Sequence, residues 1–62
     1  MFFVYKESTK LEVIGGTVSP KSAKKLAEKR AQSKLKWKPT ETGFEAEVDQ
    51  GKMKITYRIE EK

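Results

Sequence analysis

The segment "LEVIGGTVSPKSAKKLA" is the one place in the chain where residue types and spacing approach a known chemistry. A strand-like run, Gly15, four further residues, then Pro20, Lys21 and Ser22 ahead of a helical pattern imitate the loop that cradles nucleotide phosphates in hydrolases. Pro20 stands where that loop needs a glycine before its lysine, and a proline has no N–H to offer a phosphate oxygen. A chain of 62 residues is also too short for the parallel sheet from which such loops grow. The segment therefore reads as the end of a strand followed by a capped helix.

Other catalytic side chains are scarce. His and Cys are both absent, which removes the commonest base near neutral pH, the strongest nucleophile, the usual ligands of structural zinc and any disulfide. Glu45, Glu47 and Asp49 alternate along one stretch, but Lys52, Lys54 and Arg58 follow with similar spacing, so a solvated ladder of ion pairs is expected there. The chain is read as a non-enzymatic binding protein with no cofactor and no metal.

The charge distribution is more informative. Residues 19–38 carry eight cations, Lys21, Lys24, Lys25, Lys29, Arg30, Lys34, Lys36 and Lys38, against Glu28 alone. That is +7, and the remainder of the chain sums to −2, giving the net +5. Such a field attracts polyanions, although amphipathic helices also place lysine on their wet side with no ligand in view. Lysines outnumber arginines, and flexible point charges suit backbone phosphates better than base edges. The first expectation is thus a nucleic-acid-binding or regulatory module, largely indifferent to sequence, that uses Lys21, Lys25, Lys29, Lys36 and Lys38. The alternative is a protein-interaction module or homodimer using exposed sheet around Phe3 and Tyr5, because contiguous apolar surface marks contact sites. Trp37, between Lys36 and Lys38, can either stack on a base or fill the core beside Leu35.

These residues must be positioned by short elements. Phe2 to Tyr5 and Leu11 to Ile14 flank the polar "KEST" and predict a hairpin. A turn centred on Ser8 and Thr9 sets Glu7 opposite Lys10 and Val4 opposite Val13, and Gly15 and Gly16 end the second strand. Both faces of the first strand are apolar, one with Phe2 and Val4, the other with Phe3 and Tyr5. Ser19 is a good N-cap and Pro20 a tolerated first helical residue, so a helix begins at about Pro20. Ala23, Leu26, Ala27 and Ala31 form its narrow apolar stripe, with Lys21, Lys25 and Lys29 on the opposite side.

Continuing that helix through "KLKWK" would set Lys34 in the alanine stripe, a costly burial of an ammonium. Read with period two, Leu35 and Trp37 share one face and Lys34, Lys36 and Lys38 the other. The helix is therefore ended near Gln32 or Ser33 and a short strand started at about Lys34, which Pro39 ends or confines to an edge. Phe44, Ala46 and Val48, then Met53, Ile55, Tyr57 and Ile59, alternate with charged residues and predict a second hairpin. A Gln50-Gly51 loop pairs Asp49 with Lys52, Val48 with Met53, Glu47 with Lys54 and Phe44 with Tyr57.

The result is a single small α+β domain over residues 1–62, an antiparallel sheet in the order ββαββ or ββαβββ with one helix on one face. The expected core is Leu11, Val13, Ala23, Leu26, Ala27, Ala31, Leu35, Phe44, Val48, Ile55, Tyr57 and Ile59. "MFFVY" is followed at once by Lys6 and Glu7, too short an apolar run for a signal peptide or membrane span, so a cytoplasmic protein is expected.

Overall fold

The computed structural model describes residues 1–62, the side chain of residue 50 excepted. Its elements are β1 (Phe2–Glu7), β2 (Leu11–Thr17), α1 (Pro20–Ala31), β3 (Lys38–Pro39), β4 (Gly43–Gln50) and β5 (Met53–Glu61). The strands make one five-stranded sheet in the order β2-β1-β5-β4-β3, antiparallel throughout. Helix α1 packs across β1, β2 and β5 on one face of the sheet, and the other face is uncovered. This is the α+β architecture that the pattern of elements predicts.

The helix begins as its residues dictate. The Ser19 side chain accepts the Ser22 N–H, Pro20 opens the first turn, and Ala23, Ala27 and Ala31 are buried. Three alanines on one stripe let the helix axis approach the sheet closely. Gln32 closes the helix in the left-handed conformation, with φ 59° and its N–H on the Glu28 carbonyl, so the chain turns off where Lys34 would otherwise enter the alanine stripe.

The sheet contributes Val4, Ala46, Ile55, Tyr57 and Ile59 to the buried cluster, joined by Leu35 from the segment after the helix. Phe2, Ile14, Leu26, Trp37, Phe44 and Val48 pack around it, half-buried. Burial also holds the Tyr57 hydroxyl above the ordinary tyrosine range. Val4 and Ala46, absent from the expected core, are at its centre.

Leu11 and Val13, expected inside, are each 61% exposed. The cause is register. A three-residue turn pairs Glu7 with Leu11 and Tyr5 with Val13, and Val4 then pairs with Gly15, leaving Ile14 as an extra residue. A one-residue slip turns Leu11 and Val13 to the other face and sets Glu12 and Ile14 toward the helix, and the bulge at Ile14 brings Gly15 to that side as well, opposite Val4. The two glycines do not end the strand, which runs on to Thr17. A Cβ at Gly15 would lie 3.2 Å from Leu26 Cδ2, so the small residue serves the close approach of helix to strand.

The second hairpin keeps its faces but shifts by two. Val48 pairs with Ile55, Ala46 with Tyr57 and Phe44 with Ile59, around a Gly51-Lys52 turn. Gly51 takes φ 65° as the first central residue, the positive angle that a type II′ turn needs at that position. Regular strand pairing after the helix is limited to Lys38 and Pro39 on the sheet edge, shorter than the strand expected from Lys34. Its alternation still holds, with Leu35 buried, Trp37 half-buried and Lys34, Lys36 and Lys38 exposed.

Candidate nucleic-acid interface

The basic stretch divides between two sides of the molecule. Lys21, Lys25 and Lys29 are exposed and, at four-residue spacing, form one row on the side of α1 directly away from Ala27. Lys36 and Lys38 instead share the uncovered sheet face with Glu45 and Glu47, where the four line an open cleft of about 240 Å³. Lys38 is paired with Glu45 across β3 and β4, while the neighbouring pair, Pro39 and Phe44, lies toward the helix side. The five lysines singled out from the sequence are therefore not one surface.

The helix row has an unusually one-signed setting. The helix has a single carboxylate, Glu28, and it is turned to internal work: its Oε2 accepts the Leu35 N–H at 3.1 Å and the Trp37 indole N–H at 3.4 Å. That contact holds the "KLKWK" segment against the helix, and sequence reasoning missed it because residues 28 and 37 are related only through the turn. Arg30 is bound to Glu12 of β2 at 2.6 Å. Lys24 sits 3.9 Å from the centroid of the Phe44 ring. Among the described residues, Lys21, Lys25 and Lys29 form no salt bridge.

The uncovered face is different in kind. Its β4–β5 half mixes both signs: Lys54 bridges Glu47 at 2.8 Å and Arg58 approaches Glu7 at 3.7 Å. The hydrogen bond and charge of Lys54 hold the Glu47 carboxyl below the ordinary carboxylate range, and the same pairing raises Lys54. Its β1–β2 half is apolar apart from Glu7 at the end of β1. Phe3 and Tyr5 are half-buried there, with the exposed Leu11 and Val13 alongside on the edge strand. Sequence reasoning found Phe3 and Tyr5 through the doubly apolar first strand and missed Leu11 and Val13 through the register slip.

A second shallow groove of about 340 Å³ runs between helix and edge strand, over Ile14, Leu26, Lys29 and Arg30. Among the described residues no cluster of potential ligands is suited to a metal ion, and no helix is long and apolar enough to cross a membrane. Compared with known protein families, curated proteins and solved structures, the chain has no significant match.

Proposed function

We propose that the protein is a small module that binds the phosphate backbone of nucleic acid through the outer face of α1, with little regard to sequence. The observation that carries this reading is the segregation of charge. Among the described residues Lys21, Lys25 and Lys29 stand in a row without a salt-bridged carboxylate, whereas the cations of the opposite face lie among Glu7, Glu45 and Glu47. A one-signed row keeps its field; an interleaved face cancels it. Lys36 and Lys38 accordingly leave the proposed contact set.

The test is the double reversal Lys25→Glu/Lys29→Glu, assayed by fluorescence polarisation on a labelled mixed-sequence nucleic acid at about 50 mM salt. The fold is retained, because exposed helix positions change stability by less than about 0.5 kcal/mol each. Binding weakens by about tenfold or more, and by a similar factor for every sequence. Affinity unchanged by the reversal, or no binding by the unmodified protein, removes the proposal.

A second reading is favoured by the exposure of Leu11 and Val13, each 61%, beside Phe3 and Tyr5. On it, the uncovered face takes a second copy of the chain. The mixed charges of that face do not repel a like copy as the helix row would. Replacing Phe3 and Tyr5 by serine then dissociates a dimer that sedimentation detects in the unmodified protein, and a monomer at high concentration rules this reading out.

A further inference from the structure

Resting on the nucleic-acid reading, we infer that the ligand of the α1 face is double-stranded, held through its two phosphate backbones without base stacking. Proteins that hold single strands combine a basic track with aromatic rings on which bases stack. Every ring near the lysine row is withdrawn from such use. Trp37 is half-buried, packed against the core, and its indole N–H is directed to Glu28. Phe44 is half-buried and capped by the Lys24 ammonium, and Tyr57 is buried.

Phe2, half-buried on the helix side, is packed against the core, and the two rings left, Phe3 and Tyr5, are on the wrong side. Phe3 pairs with Glu60 and Tyr5 with Arg58 on the uncovered face, with the whole sheet between them and the row. A strand of nucleic acid lying along Lys21, Lys25 and Lys29 meets ammonium groups and no stacking platform.

The spacing of the row suits a duplex. From Lys21 to Lys29 the helix advances eight residues, about 12 Å at about 1.5 Å per residue. The major groove of DNA is also about 12 Å wide. Lysines at the two ends of the row, on flexible stems, reach phosphates on both walls of a groove of that order. A duplex presents those phosphates as a fixed array of high charge density; a single strand must be ordered to do so, and its lower charge density returns less from counterion release. Lysine in place of arginine gives no bidentate grip on a base edge, so the row contacts backbone without selecting sequence.

The experiment is a polarisation competition at about 100 mM salt, using the full chain, a labelled 20-base-pair DNA duplex, the same duplex as RNA, the matching single strands, heparin, and vesicles of mixed anionic and zwitterionic lipid. Trp37 fluorescence is read in parallel. We expect a duplex, DNA or RNA, to bind about tenfold or more tightly than either single strand, heparin and vesicles to compete less well than the duplex, and Trp37 emission to stay unquenched at saturation. Single strands binding as well as duplex, or strong Trp37 quenching by them, overturn the duplex assignment and leave backbone binding standing. Heparin or vesicles outcompeting the duplex overturn it likewise. No binding to any nucleic acid removes both this inference and the reading beneath it.

Discussion

The two faces of this molecule both carry charged side chains and yet differ in what they offer a partner. On α1, residues four apart stack into a row, so a lysine at every fourth place accumulates one sign. On the β4–β5 half of the sheet, cross-strand neighbours bring Glu47 to Lys54 and Glu45 opposite Arg58, so charge is cancelled as it is laid down. The difference teaches that net charge is a poor guide to a binding face, because secondary-structure period decides whether like charges gather or opposite charges meet.

The sharpest way to break the comparison is through stability. Tyr57 and Val13 are both large side chains on strands, one 1% and the other 61% exposed. Tyr57→Ala is expected to cost about 3–5 kcal/mol. Against a total of about 3–9 kcal/mol for a chain of this length at about 0.05–0.15 kcal/mol per residue, that removes from about a third to all of the stability and lowers the midpoint of a thermal melt steeply. Val13→Ala should change stability by less than about 0.5 kcal/mol in dilute solution. A larger loss that grows with protein concentration would mean that a second copy covers this face, and would favour the dimer reading.

Glu28 sharpens the account on the helix side. Glu28→Ala removes the acceptor of the Leu35 N–H and the indole N–H of Trp37, leaving two part-buried donors to find water. The expected cost is about 1–3 kcal/mol, with a red shift of tryptophan emission as the segment loosens. An unchanged spectrum and denaturation midpoint would show that the contact does not hold "KLKWK" in place.

The smallest effect belongs to the Glu47–Lys54 bridge. The Glu47 pKa is lowered in the folded state, so its contribution is present above the ordinary carboxylate pKa and is lost as pH falls through the lowered one. The Lys54 pKa is raised, so its contribution is present below the ordinary lysine pKa and is lost as pH rises through the raised one. Both groups are exposed, and the effect is correspondingly slight. Glu47→Gln should lower the melting temperature marginally at pH 7 and not at all at pH 2. An equal difference at both values would place the cause in packing rather than charge.

Much of the fold was legible in the sequence, and the failures are local. The helix from Pro20 to Ala31 was readable because cap, first-turn proline and alanine stripe agree. The second hairpin kept its faces despite a shift of two residues, since a shift by an even number preserves the strand's alternation. The first hairpin did not: a three-residue turn with a bulge at Ile14 carries no unambiguous signal in "KESTKLEVIGG", and Leu11 and Val13 were turned out. At the candidate site the helix lysines were legible from their spacing. The separation of Lys36 and Lys38 from them was not, because the left-handed turn at Gln32 and the carboxylate of Glu28 redirect the chain to the sheet edge, where alternation turns Lys36 and Lys38 to the uncovered face.

The salt dependence of duplex binding tests the division of the basic stretch most directly. Each phosphate contact contributes a slope of about −0.9 in log K against log salt. Replacing Lys21, Lys25 and Lys29 together by glutamine should make the slope shallower by about 2.7 on that basis, three contacts at about 0.9 each. Replacing Lys36 and Lys38 by glutamine should leave it unchanged. If instead the helix replacements leave the slope as it was, or the pair on the sheet edge changes it as much per residue, then the phosphates do not lie along α1 and the account is wrong.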